Sequence, residues 1–294
     1  MKNKKIKQFL AVALSLVMVI GMVGCSSGNN DNNSEENNQN QNIGNEQSIS
    51  GSINAGGSTS VEKAAKTALE EFVALNPNVT FEYDATGSST GIKNVKDGTY
   101  KLGFASRELK DDEKKGIEYK TVALDGIALA IHPSNGVKNL TLEQVKGIYT
   151  GEITNWSELG GSDADIVVVS RENGSGTRSA FEEIIGVGDM LTEKAIIKSG
   201  NGEVASYVAG EPNAIGYTSF VTLESNLDKI SGVNVEDVEP SVENVQNGTY
   251  KLSRPFIMVY DTNKVNDAEK AFIDFLFTEE GQDLMEEAGA IRVK

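Results

Sequence analysis

Three times in this chain a strand-like run gives way to a Gly/Ser/Thr-rich segment and then to helical periodicity. The segments are Asn54–Ser60 (Asn-Ala-Gly-Gly-Ser-Thr-Ser), Ala85–Gly91 (Ala-Thr-Gly-Ser-Ser-Thr-Gly) and Arg171–Arg178 (Arg-Glu-Asn-Gly-Ser-Gly-Thr-Arg). Repetition of strand, turn and helix confines the chain to layered α/β architectures. It also has a chemical consequence. A helix start leaves backbone N–H groups without partners and carries partial positive charge, so it suits an oxyanion. Glycine admits close backbone approach, and Ser/Thr hydroxyls add donors at the same place. Singly, each segment reads as a cap or tight turn. Together, with an arginine in the last, they point to a pocket for one small tetrahedral anion.

The surrounding pattern supports such a frame. Strands are predicted at 52–55, 79–83, 101–105, 166–170, 215–217 and 256–260. The run Ala123–His132 is a long, nearly continuous apolar strand, as a sheet covered on both faces requires. Apolar residues at 61, 64, 65, 68, 69 and 72 follow helical spacing, with Thr59 and Glu62 placed as a capping box. Short helices are expected at 141–149, opened by Thr141 and Gln144, and at 179–185, and a closing helical region at 267–288. The alternation favours mostly parallel sheets, in which ligands sit at the carboxyl ends of strands, where all three segments fall.

The first 24 residues read as a secretion leader. Lys2, Lys4, Lys5 and Lys7 precede a run from Phe9 to Gly24 that is apolar except for Ser15. That run is shorter than the ~20 apolar residues of a spanning helix. It ends in Met22-Val23-Gly24-Cys25, which resembles a bacterial lipobox, with Met22 in place of the usual Leu. Cys25 is the sole cysteine, so no disulfide is expected and lipidation is the expected role. Residues 25–50 are Asn, Gln, Ser and Glu with almost no apolar content, too little to offset ordering entropy, and are read as a tether. The folded part is then expected on the outer face of the cell membrane, held by acyl chains.

The chain carries a net charge of −16. Four lysines before residue 25 cancel Asp31, Glu35, Glu36 and Glu46, so the whole excess belongs to residues 51–294. A domain this acidic is not expected to bind nucleic acid through phosphates, nor to draw in an anion by its overall field. Affinity has to come from local, desolvated donors. Catalysis is not expected either: the chain has one His, one Cys and no clustered metal-ligand spacing, and no nucleophile elbow is present. No cofactor or metal is expected. His132 and Trp156 read as structural residues.

These segments, in this order, resemble the phosphate-binding proteins of bacterial phosphate ABC importers, the PstS family. The resemblance runs from about 52 to 294. It includes Gly103–Leu109, Asp125–Ala128 and Ala214–Tyr217, and is most specific in Tyr149-Thr150-Gly151-Glu152-Ile153-Thr154-Asn155-Trp156 and Arg171–Thr177. It implies a type II-like, two-lobed periplasmic-binding-protein fold. Lobe I would comprise 51–134 plus 227–294 and lobe II 135–226, with phosphate in the cleft between them. It implies phosphate donors at Ser58, Thr59, Ser88, Arg171, Ser175, Gly176 and Thr177, with Ser106 also at the site. Further contacts are expected from Gly57, Arg107 and Asn173. Implied partners are a membrane permease and an ATPase, with the binding protein itself a monomer. Many family members carry aspartates at the positions of Ser106 and Asn173, the first accepting the phosphate proton and repelling sulfate. Glu108, Asp125 and Glu172 are the candidates to replace that carboxylate. Arg107 reads equally as a second positive contact or as one half of a stabilising ion pair. Another oxyanion, such as sulfate or molybdate, and an adhesin or sensor derived from the same fold, remain the alternatives.

Overall fold

A computed structural model describes residues 48–293. The expected leader, Cys25 and the part of the expected tether up to residue 47 lie outside the described residues. Strand β1 (Gly51–Gly57) leads through the first segment to α1 (Glu62–Leu75), and β2 (Val79–Asp84) through the second to α2 (Ser88–Asp97). Next come β3 (Leu102–Ala105), the long β4 (Glu118–Ile131), β5 (Asn139–Leu140) and α3 (Leu142–Thr150). Strand β6 (Val167–Arg171) feeds the third segment and α4 (Gly176–Ile185), followed by β7 (Ile196–Lys198), α5 (Asn201–Gly210) and β8 (Ala214–Ser219). The chain finishes with α6 (Phe220–Glu224), β9 (Ser231–Val235), α7 (Val242–Gln246), β10 (Ser253–Tyr260), α8 (Asp267–Phe275) and α9 (Glu279–Glu287).

All three segments lie at the carboxyl end of a strand, as expected. The sheet itself is mixed rather than mostly parallel. Parallel pairing holds where strand–helix units repeat, for β2–β1–β3 and for β8–β6–β7, but β10 runs antiparallel to β3 and β4, and β4 antiparallel to β8 and β9. The cause is β4, whose Glu118–Gly126 half pairs with β10 and whose Ile127–Ile131 half pairs with β8. It carries the chain from one apolar cluster to the next, and the strands flanking it run the other way.

Those clusters are the core. One holds Ile53, Leu69, Phe72, Phe104, Phe256 and Phe272, and Ile49 packs against it. The other holds Leu129, Tyr149, Trp156, Phe181, Ile215 and Val233. A smaller cluster of Ile92, Tyr100 and Ile257 lies under α2. The stretch 230–252 packs with the second cluster, through Ile230, Val235 and Leu252. Trp156 is fully buried and its indole N–H donates to Asn213 O at 2.9 Å, which places it as a packing residue.

Several helix starts follow local chemistry, α1 not among them. Helix α3 has the expected capping box, Thr141 Oγ1 accepting from Gln144 N and Gln144 Oε1 from Thr141 N. The box expected from Thr59 and Glu62 does not form. Helix α1 begins at Glu62 with Val61, which has no capping group, at its N-cap; Thr59 Oγ1 instead accepts from Asn201 Nδ2 at 2.9 Å and Glu62 pairs with Lys66.

Candidate functional site

Backbone packing draws the three segments together. A Cβ on Gly91 would lie 2.7 Å from Gly57 Cα, so α2 rests directly on the end of β1. Gly87 N donates to Gly57 O at 2.7 Å, joining the first segment to the second. Ser89 N donates to Gly174 O at 3.1 Å, joining the second to the third. Phe181 stacks on Tyr217 at 4.1 Å between centroids and meets Tyr149 edge-on at 4.8 Å, which fixes α4 against β8. Aromatic pairs of this kind contribute about 0.5–1.5 kcal/mol each beyond their burial.

At the meeting point the side chains are hydroxyls. Ser58 Oγ donates to Ser106 Oγ at 2.9 Å, and Ser88 Oγ lies 3.4 Å from Ser106 Oγ. Ser88 Oγ accepts from Ser106 N, and Ser58 Oγ from Ser60 N, each at 3.1 Å. Helix α4 closes against this group from the other side. A Cβ on Gly176 would sit 2.7 Å from Ser106 Oγ and closer still to Ser88 Oγ, so any side chain there has to displace these hydroxyls. Ser175 caps α4 by accepting from Arg178 N. Ser60 Oγ and Thr177 Oγ1 are 2.8 Å apart. Ser58, Ser88, Ser106, Ser175 and Thr177 are all buried. The starts of α2 and α4 thus converge on a desolvated group of neutral donors, where hydrogen bonds to a charged acceptor are strong.

Three arginines in or bonded to these segments are buried, each with its own carboxylate. Arg171 leaves β6 fully buried. Its Nε and Nη2 bond Glu172 at 2.9 and 2.8 Å and donate also to Lys198 O and Ser199 O, while Nη1 is buried without a partner. Tyr217 OH accepts from Arg171 N, and burial pushes its pKa up to about 12, so the phenol stays neutral. Arg107 makes a bidentate pair with Glu113 at 2.7 Å and also donates to Ser89 Oγ. Glu113 is held below the usual carboxylate range: its partial burial raises the pKa, but the Arg107 and Lys110 N–H donors outweigh that. Arg254, from β10, is clamped on Asp125 at 2.7 and 3.0 Å. Burial pushes Asp125 up to about 6 against the pull of Arg254 and the Phe220 N–H, and desolvation lowers Arg254.

Among the residues singled out from sequence, Ser58, Ser88, Ser106, Gly176 and Thr177 come together, with Thr59 and Ser175 beside them. Gly57 serves packing. Arg107 is engaged in an ion pair within its own segment, and Asn173 is exposed. Of the carboxylates considered, Glu108 is exposed, Glu172 belongs to Arg171 and Asp125 to Arg254. Arg254 and Asn201 escaped the sequence reading, since each is a solitary polar residue outside any motif. Ser60 lies in the first segment, yet nothing there marks it above its neighbours. Among the described residues there is no cluster of His, Cys, Asp and Glu fit to hold a metal, and no helix long and apolar enough to cross a membrane.

The PBP superfamily domain matches residues 42–280. The phosphate-binding protein PstS of Bacillus subtilis is 32% identical over 96% of this chain and 91% of its own length. That of Borreliella burgdorferi is 29% identical over 82% of this chain and 90% of its own. Among solved structures, a candidate phosphate ABC transporter substrate-binding protein of Clostridium perfringens, crystallised with bound phosphate, is 49% identical with a TM-score of 0.81, covering 83% of this chain and all of that one. An ABC-type phosphate transport receptor of Vibrio cholerae is 32% identical, with a TM-score of 0.69 over 82% of this chain and all of that one.

Proposed function

The chain belongs to the PstS family of phosphate-binding proteins within the PBP superfamily, and on that premise we propose that it captures inorganic phosphate outside the cytoplasm and delivers it to an ABC import complex. The observation that carries the proposal is the convergence of the three Gly/Ser/Thr segments on one buried group of hydroxyls, with Arg171 of the third segment keeping a buried Nη1 without a protein partner, as Arg254 also does. Phosphate oxygens are taken by Ser58, Thr59, Ser88 and Ser106, by Ser175, Gly176 and Thr177 at the start of α4, and by the free edge of Arg171. Neutral donors suffice because the site is desolvated, where each N–H or O–H bond to a charged oxygen is worth about 1.5–3 kcal/mol.

The two large apolar clusters serve as cores of two lobes, 51–134 with 227–294 and 135–226, the stretch 230–252 packing with the second. Phosphate bridges donors from both and so favours the closed form by differential contact, the only way a ligand shifts such an equilibrium. The closed monomer then docks on a permease driven by an ATPase. Cleavage before Cys25 and its lipidation anchor the protein at the outer face of the membrane, with residues 25–50 as tether.

Calorimetric titration with phosphate, with sulfate and molybdate as competitors, tests this reading. Saturable 1:1 phosphate binding is expected. A protein that takes up sulfate or molybdate but not phosphate sinks the proposal. Sulfate matters because Glu113, Glu172 and Asp125 are each paired with an arginine, so none of these three stands free to accept the phosphate proton.

A further inference from the structure

Ser60 has three neighbours, and their chemistry fixes where its proton goes. Arg254 Nη2 lies 3.0 Å from Ser60 Oγ and can only donate. Asn201 Nδ2 lies 2.8 Å away. That this atom is the amide nitrogen follows from the other end of the side chain, where Asn201 Oδ1 accepts from the backbone N–H of Ser219 at 3.3 Å and from Thr218 Oγ1 at 3.2 Å. Ser60 Oγ therefore accepts twice. Its own proton is left for the third neighbour, Thr177 Oγ1, at 2.8 Å. Thr177, having accepted, has its proton free for another acceptor. The second amide proton of Asn201 goes to Thr59 Oγ1 at 2.9 Å, which leaves the Thr59 proton free in the same way. All of these groups except Thr59 are buried, so no water competes for the bonds.

We propose that Arg254 and Asn201, acting through Ser60, are positioning residues that commit the Thr177 hydroxyl to donate into the anion site. The inference rests on the phosphate reading of that site. It assigns a task to a buried guanidinium that no local motif reveals. Asp125 is the anchor: by holding Arg254 Nε and Nη2 it aims Nη2 at Ser60. Fixed donors of this kind favour an acceptor-rich oxyanion, since the Thr177 proton is left over once Ser60 has donated and is available to a ligand oxygen.

The test is a cycle of variants titrated with inorganic phosphate. Ser60→Ala leaves Arg254 paired with Asp125, so no charge is stranded. It should weaken phosphate binding roughly tenfold, the loss expected for one oriented hydrogen bond. Thr177→Val should weaken it at least as much. In the Thr177→Val background Ser60→Ala should cost nothing further, because the relay has no terminus left to act on. Ser60→Thr, which keeps a hydroxyl on the same carbon, should restore most of the affinity. Equal, additive losses from the two substitutions would overturn the relay, as would Ser60→Ala binding phosphate like the parent. If the parent protein binds no phosphate, the functional reading falls first and the relay with it. Circular dichroism and melting curves on each variant separate lost affinity from lost folding.

Discussion

Gly176 offers the sharpest perturbation. Its backbone φ is not in the left-handed region, so alanine is conformationally acceptable there and would gain up to about 0.5–1 kcal/mol of helix propensity. Against that, its Cβ would lie 2.7 Å from Ser106 Oγ and closer to Ser88 Oγ, and both are short, buried side chains held by hydrogen bonds. Overpacking of this kind costs about 1–3 kcal/mol. The net change in folding stability is then small, roughly 0–2 kcal/mol destabilising. Binding should suffer far more. The methyl group fills the corner where the donors of α2 and α4 meet and pushes their N–H groups away from a shared ligand. A loss of at least about two decades in phosphate affinity, near 2.7 kcal/mol, is expected. Gly174→Ala is the control. It forces a side chain onto φ +92, yet its Cβ meets only the Ser89 side chain, at 3.5 Å and 3.8 Å, so it should cost stability and leave affinity within a fewfold. Calorimetric titration paired with thermal melts measures both quantities. Gly176→Ala binding phosphate as tightly as the parent would refute the placement of the site between these two helix starts.

Arg171→Met should weaken phosphate binding by about 2–5 kcal/mol, since it removes a desolvated guanidinium and leaves Glu172 facing the anion; unchanged affinity by titration would rule Arg171 out. Trp156→Ala should lower unfolding free energy by about 3–5 kcal/mol in urea, with a buried cavity and a lost bond to Asn213 O, while a loss under 1 kcal/mol would show the residue is not a core element. Asp125 should titrate near pH 6 by carboxyl carbon NMR, raised by burial. Because that lies above the ~3.9 of an unfolded aspartate, the native state holds an extra proton between about pH 4 and 6, so this group's contribution to stability declines as pH rises through that window. A carboxyl titrating below 4 would contradict the assignment.

What was legible in the sequence was local. Turn glycines, Ser/Thr caps and helical spacing mark their own positions, so the three segments and most elements around them were found. What escaped was set by contacts distant in sequence. Thr59 looks like a helix cap, but Asn201 claims its hydroxyl. The apolar run at 123–132 reads as a parallel strand because it is buried on both faces, whereas burial says nothing about the direction of its neighbours. Arg254 and Asn201 carry no pattern at all, and only the fold brings them to Ser60. Arg107 and Arg171 look alike in sequence, and each is gripped through two nitrogens by a carboxylate, Glu113 for the first and Glu172 for the second; what differs is the buried atom left without a partner, Nε in Arg107 and the terminal Nη1 in Arg171.

The central claim is that one phosphate is held by neutral hydroxyl and amide donors plus the Arg171 guanidinium. A crystal structure of the protein grown with phosphate tests it directly. The account predicts phosphate oxygens within hydrogen-bond distance of Ser58, Ser88, Ser106, the start of α4 and Arg171 Nη1. Phosphate bound on the surface, with the Ser58, Ser88 and Ser106 hydroxyls keeping only their bonds within the protein, would contradict it.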